Sequence, residues 1–324
     1  MTQKNGKVFV CCDDWTLRDE GFSKTPDART FTQNLANWFS GGRPGKFLIY
    51  STNLGLTQGS FLGALKAAGH TVTTGINTPL TEQALLAYDG VFLAGNAADN
   101  NMLIEYVKSG GCVYLAGGTG AGGGAAGEAN QWKTFLNAVG LKFEPAYNGF
   151  SGNFVPPQEH PVLKGVKQLY CANGSPVTDI EPESPANQIA SSLGPGKGML
   201  AWFDASLLPT QVAITDIFFD GKVKSVESDE FVEITNQGFS HIDISGWKLH
   251  ADDRGQDFTF PGGTLLRSGQ SIRVYTNEIH PETGGFSYGI KRAIWNNKTD
   301  EGKLLDATGK QVSSRRYTSE PTGA

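Results

Sequence analysis

Short apolar runs alternate with helically spaced apolar residues from position 7 to about 143. Runs at 7–12, 47–50, 70–73, 91–94 and 112–116 have strand length and little polar interruption. Between them, Phe31, Leu35, Trp38 and Phe39 fall at helical spacing over 27–39, which Gly41-Gly42 closes. Further helices are predicted over 58–68 and 81–87, from a cap at Asp99 to Lys108, and over 128–139, where Trp132, Phe135, Leu136 and Val139 share one face. Strands apolar on both faces, alternating with helices, predict an α/β fold: a doubly wound, mostly parallel sheet. Short strands at 168–171, 188–191 and 199–203 are expected to extend that sheet.

The pattern changes near 206–213. From Ile214 onward no helical signal exceeds a turn. Strands are predicted instead at 231–235, 242–249, 257–260, 271–275 and 303–305, separated by Gly, Asn, Asp and Pro turns. This reads as an all-β sandwich. Leu208-Pro209-Thr210 serves as the linker, giving domains at 1–207 and 212–318. A chain of 324 residues supports two cores of that size.

Charge and cysteine content narrow the function classes. Lys and Arg number 27 against 32 Asp and Glu, so nothing draws the whole chain toward nucleic acid or an anionic membrane. Cys11, Cys12, Cys112 and Cys171 form no Cys-x-x-Cys pair and no Cys/His cluster. They read as buried, reduced thiols, and neither a metal nor a cofactor is expected. No apolar run reaches membrane-spanning length and no signal peptide is visible, which predicts a cytoplasmic protein. A leader removed from a longer precursor stays open.

In a parallel sheet the strand C-terminal ends line one edge, and ligands bind in the crevice there. The residues leaving those ends are Asp13 and Asp14 after the first strand, Asn53 after the second, Asn96 after the strand at 91–94 and Thr119 after the strand at 112–116. Each also has an ordinary role open to it, capping a helix or satisfying a turn, but adjacent carboxylates repel and need a partner. Gly118 and Gly120 flank Thr119 and permit a strained bend with close approach of a ligand. The helix that follows, with Glu128 in its first turn, would aim amides at that ligand. Tyr147 and the loop at 149–153 are placed to cover the pocket.

A strand breaking at glycine around one hydroxyl has the geometry of a nucleophile elbow. Gly118-Thr119-Gly120 stands where class I glutamine amidotransferase-like domains carry Gly-x-Cys-x-Gly. Glu159-His160-Pro161-Val162-Leu163-Lys164-Gly165-Val166 is similar to the His-Pro-(Ile/Val)-Leu-x-Gly segment of that group's relatives, trehalose-utilisation-type proteins included. The resemblance covers roughly 7–205 and implies a flavodoxin-like fold with its site at Thr119 and His160. Two departures argue against glutaminase activity. Threonine lacks the thiolate nucleophilicity that thioester formation uses, and Val162 occupies the place of the glutamate that orients the histidine. Cys112, at the start of its strand, belongs at the opposite edge.

Residues 212–318 resemble a lamin tail domain, an immunoglobulin-like sandwich. The blocks that carry the resemblance include Asp229-Glu230-Phe231-Val232-Glu233-Ile234-Thr235-Asn236, Ile242-Asp243-Ile244-Ser245-Gly246-Trp247-Lys248-Leu249, Trp295-Asn296-Asn297 and Leu304-Leu305-Asp306-Ala307-Thr308-Gly309. Such domains are interaction modules, and in bacterial proteins they sit beside enzymatic or envelope-associated domains. Residues 212–318 hold 13 Lys/Arg against 15 Asp/Glu, a balance of −2, with Lys291-Arg292 and Arg315-Arg316 as the basic pairs. That is a weak footprint for DNA.

Three readings follow. The first is a degenerate amidotransferase-like domain that binds a small molecule or protein at Asp13, Asp14, Asn53, Asn96, Gly118, Gly120 and Glu128, joined to a module that recruits a protein partner. The second is a hydrolase of an ester, amide or sugar conjugate, with Thr119 and His160 catalytic and an acid from Asp13, Asp14 or Glu128. The third is DNA binding through the lamin tail domain.

Overall fold

Val8, Phe9, Val10 and Cys11 have no exposed surface. A run with no polar face needs neighbours on both sides and cover above and below. The structure, a computed structural model describing residues 5–52, 54–223, 226–251 and 256–319, places it in such a position. These residues divide into two compact units, one ending at Leu208 and one beginning at Pro209.

The strands of the first unit are, in chain order, β1 (Lys7–Cys11), β2 (Lys46–Tyr50), β3 (Thr71–Thr74), β4 (Gly90–Ala94), β5 (Cys112–Ala116), β6 (Leu141–Phe143), β7 (Ser151–Phe154), β8 (Leu169–Ala172), β9 (Val177–Asp179), β10 (Asn187–Ser192) and β11 (Gly198–Asp204). One mixed sheet runs β3-β2-β4-β5-β1-β11-β9-β6, with β10 also paired to β11. The portion from β3 to β1 is parallel, and β11 joins β1 antiparallel. The helices are α1 (Asp19–Lys24), α2 (Asp27–Ser40), α3 (Leu54–Thr57), α4 (Gly59–Ala67), α5 (Glu82–Leu85), α6 (Asn100–Lys108) and α7 (Ala125–Asn137). α2 buries Phe31, Leu35 and Phe39, one per turn, and ends at Gly41, whose φ of 68° is the left-handed conformation that stops a helix. Asp99 caps α6, its carboxylate accepting from the amides of Asn101 at 2.9 Å and Met102 at 3.3 Å.

Two predicted elements differ. The helix expected over 81–87 is a single turn, Glu82–Leu85, capped by the Thr81 hydroxyl. The strand near 168–171 does not extend the sheet; β8 pairs with β7 in a separate two-stranded ribbon. The segment after β1 captures its backbone: Thr16 Oγ1 donates to the Tyr170 carbonyl at 2.8 Å, and the Ala172 amide donates to Asp13. By contrast β10 and β11 join the main sheet.

In the second unit one sheet holds β12 (Val212–Phe218), β13 (Phe231–Asn236), β18 (Ser271–Tyr275) and β19 (Phe286–Ser287). The other holds β16 (Asp257–Thr259), β15 (Lys248–Ala251), β20 (Thr299–Leu305) and β21 (Gln311–Thr318). A short ribbon pairs β14 (Ile242–Asp243) with β17 (Leu265–Leu266). Val232, Ile234 and Val274 from the first sheet share a core with Leu249, Ala251 and Leu304 from the second. The strand expected over 242–249 is broken between Ile244 and Trp247. Gly246 takes φ 75°, and Asp243 accepts from the Ser245 amide at 3.0 Å, making a turn that drops Trp247 into the core. Among the described residues no helix is long and apolar enough to cross a membrane.

Candidate functional site

The ends of β1 and β5 continue to pair past the strands. The Gly117 amide donates to the Cys11 carbonyl at 2.8 Å, and the Asp14 amide to the Gly117 carbonyl at 2.9 Å. This fixes the two consecutive carboxylates against the bend at 117–120. Gly118 has φ 69°, and a Cβ there would lie 2.8 Å from Asp13 Oδ1, so only glycine fits.

Asp13 and Asp14 are both fully buried and take different partners. Asp13 Oδ1 accepts from the Trp15 amide at 3.2 Å and Oδ2 from the Ala172 amide. Burial raises its pKa, and these two amides oppose the rise. Asp14 Oδ2 accepts from Arg18 Nε at 2.9 Å, and the guanidinium also lies against the Trp15 ring at 4.4 Å. Asp14 Oδ1 is buried and has no hydrogen-bond partner among the described residues. Burial pushes the Asp14 carboxyl up to about 7; Arg18 lowers it, and the neighbouring charges of Asp13 and Glu128 raise it.

Glu128 is fully buried and reaches back from the first turn of α7 into the bend. Its Oε2 accepts from the Gly118 amide at 2.8 Å and from Ser175 Oγ at 2.7 Å. Its Oε1 accepts from the Thr119 amide at 3.2 Å and from the Thr119 hydroxyl. The hydroxyl oxygen in turn accepts from the Ala121 amide at 3.2 Å. Two successive backbone amides aimed at one point make an anion cradle, the arrangement an oxyanion hole uses. Here a carboxylate of the chain itself fills it. Gly120, at φ 74°, carries the chain away, and the Tyr147 hydroxyl lies 3.9 Å from where its Cβ would stand.

His160 is not beside Thr119. Its ring stacks on Trp202 with centroids 5.1 Å apart and meets Trp38 edge-on at 4.8 Å and Phe9 at 5.9 Å. Its Nδ1 accepts from the Val162 amide at 3.2 Å, capping the short turn Pro161–Leu163. Burial pushes its pKa down to about 4; Asp204 opposes this and Lys7 adds to it. Lys7 and Asp204 face each other at the start of β1, the end opposite the bend. The Thr119 hydroxyl and the His160 ring therefore have separate partners and no mutual hydrogen bond. Cys112 pairs with Lys7 at that same far end, where its position in the sequence puts it.

Asn96 ties the ends of β2 and β4 together: its Oδ1 accepts from the Thr52 amide at 2.6 Å and hydroxyl at 3.0 Å. Asn53 lies outside the described residues. Three residues of this edge carried no mark in the sequence reading. Arg18 was detectable as the i+4 partner of Asp14. Trp15 follows the two aspartates directly, and no motif marks it. Ser175, whose amide donates to the Cys12 carbonyl at 2.7 Å, sits in a loop with no pattern to announce it.

In the second unit the basic pairs lie apart in sequence setting. Arg315 and Arg316 are exposed on β21, in register with Gly302 and Glu301, while Lys291 and Arg292 are exposed between strands. The family model of the Lamin Tail Domain matches residues 208–319. No curated protein matches the chain.

Proposed function

We propose, from a lamin tail domain at residues 208–319, that this chain couples a ligand-binding α/β unit to a protein-recruiting module. On this reading residues 1–207 are a doubly wound, amidotransferase-like domain that has given up glutamine hydrolysis, and 212–318 recruit the partner. The strand order supports it. The chain steps from β2 outward to β3 and then back past β2 to β4, and such reversals open a crevice at the strand C-terminal ends. Thr52 and Asn96 stand at that crevice, with Asp13, Asp14 and the bend further along the same edge.

The observation that carries the reading is the buried Glu128 carboxylate. The Thr119 hydroxyl does donate to it, as to a base. The same carboxylate also takes both amides that would stabilise an oxyanion, together with the Ser175 hydroxyl. A filled cradle has no place for a second anion. What the edge offers a ligand is recognition: an Asp14 oxygen with no partner among the described residues, beside the Arg18 guanidinium. In the second domain the net charge of −2 favours a protein partner over DNA.

Thr119→Cys tests the loss of glutamine chemistry, because it restores the nucleophile and leaves the cradle filled. The full chain carrying it is expected to release no ammonia from glutamine above the wild-type background. Turnover would overturn the reading. Binding is tested by a thermal-shift panel of small polar metabolites. Compounds that raise the melting temperature should lose their effect in Asp14→Asn and Arg18→Met, and a panel that never separates these variants from wild type sinks the binding half.

A further inference from the structure

Three sulfur atoms and one amide from four separate segments meet at the end of β1. Cys12 Sγ lies 3.7 Å from Cys171 Sγ and 3.7 Å from Met199 Sδ. Asn148 Nδ2 faces all three, at 3.4 Å from Met199 Sδ, 3.7 Å from Cys171 Sγ and 3.9 Å from Cys12 Sγ. Cys12, Cys171 and Met199 have no exposed surface, Asn148 is 5% exposed, and both thiols are free.

The amide is the telling member. Asn148 Oδ1 accepts from the Phe150 amide at 2.9 Å, while Nδ2 donates to sulfur. Thiols and thioethers are weak acceptors, and a buried amide ordinarily finds oxygen. A thiolate is an anion, and hydrogen bonds to ions are roughly twice as strong as neutral ones. An ion that turned these thiols into thiolates would make the Asn148 contacts good. Outer hydrogen bonds of this kind orient and tune metal ligands. The spacing agrees. Three metal–sulfur bonds of about 2.3 Å at trigonal angles put the sulfurs about 4 Å apart.

The donor set selects the ion. Among the described residues no three His, Cys, Asp or Glu side chains are grouped to hold a metal. The nearby Asp13 carboxylate accepts from the amides of Trp15 and Ala172 and from the Cys171 thiol, a bond that ligation of Cys171 exchanges for one to the ion. Two thiols and a thioether are a soft set, suited to Cu(I) rather than to a tetrahedral zinc ion. The remaining thiols are engaged elsewhere: Cys11 Sγ donates to the Asp13 carbonyl, and Cys112 Sγ to the Phe39 carbonyl.

We propose that Cys12, Cys171 and Met199 form a buried site for one Cu(I) ion, with Asn148 donating to the bound thiolates. Each ligating thiol exchanges its S–H bond for an S–Cu bond and releases a proton to solvent. The copper remains Cu(I), so no oxidant or reductant takes part. This site does not depend on the ligand-binding reading of the sheet edge.

The test titrates the reduced full chain, without oxygen, against Cu(I) held by bicinchoninate. Wild type is expected to withdraw one copper per chain, and X-ray absorption should show a shell of three sulfurs. Cys12→Ser and Cys171→Ser should each abolish that uptake at matched chelator, and Asn148→Leu should weaken it by about tenfold. Met199→Leu conserves volume and keeps the core if the serine variants fail to fold; it should reduce the shell to two sulfurs. No withdrawal by wild type overturns the proposal, as does uptake that Met199→Leu and the folded serine variants leave unchanged.

Discussion

Glu128→Gln removes one charge and no volume, and it separates a carboxylate that holds the bend together from one that merely sits near it. In the native chain the carboxylate accepts from two backbone amides and two hydroxyls. Glutamine keeps one oxygen and turns an NH2 group toward the other pair. The Thr119 and Ser175 hydroxyls can rotate to accept from it. The amides of Gly118 and Thr119 cannot, so one of them is left facing a donor: Thr119 with no other acceptor among the described residues, or Gly118 with only its 3.3 Å bond to Ser175 Oγ. An orphaned buried amide costs about 1–3 kcal/mol, and losing the charge on the remaining bonds adds about 1 more. The expected loss is about 3 kcal/mol, or a melting point about 6–12 °C lower for a unit of this size. Glu128→Ala removes the carboxylate from all four donors, leaves the Gly118 amide only its 3.3 Å bond to Ser175 Oγ, opens a cavity, and should cost about 5 kcal/mol. Calorimetry of the full chain reads this directly. Formate at constant ionic strength should restore part of the loss in Glu128→Ala and little in wild type, by refilling the cradle. A Glu128→Gln variant within about 0.5 kcal/mol of wild type, the range of an ordinary surface change, would refute the assignment.

Two further outcomes concern pH. Asp14 has a folded pKa of about 7 against an ordinary 3.8, so the folded state holds its proton more tightly and stability is lost as pH rises through that window. Urea unfolding should show Asp14→Asn closing on wild type between pH 5 and pH 8, and a gap that widens would contradict the burial argument. His160 is shifted the other way, to about 4, so its contribution is present above about 6.5 and lost as pH falls toward 4. His160→Phe should flatten the unfolding profile in that window, and a profile that keeps the wild-type slope would place the titration elsewhere.

The sheet was legible because its central strands carry no polar face: Val91, Phe92, Leu93 and Ala94 admit no exposed position. β12 was harder to read, since a bulge between Ile214 and Asp216 breaks the two-residue rhythm and puts the buried residues at 214 and 217. β21 is polar nearly throughout, Gln-Val-Ser-Ser-Arg-Arg-Tyr-Thr, and is a strand because β20 pairs along its length, with one irregularity between Leu304 and Leu305. At the edge, the positions of Asp13, Asp14, Asn96 and Thr119 followed from where strands end. Their partners did not, because hydrogen bonds to Ala172 and Ser175 span more than 150 residues from Asp13 and 47 from Glu128, distances that no local pattern encodes. His160 misled for the same reason: a short motif placed it near Thr119, whereas the aromatic cage that holds it is assembled from Phe9, Trp38 and Trp202.

β1 lies between β5 and β11, and its first residue faces Cys112 on one side and Asp204 on the other. During synthesis this strand leaves the ribosome before both neighbours, which follow more than a hundred residues later. Closing loops of that length is entropically slow, and the waiting segment, Val-Phe-Val-Cys-Cys, is apolar throughout. The nascent chain is therefore most vulnerable to mispairing and to chaperone capture before the segment 198–204 has emerged. Slowing translation upstream of that point should lower the yield of folded protein more than slowing it afterwards.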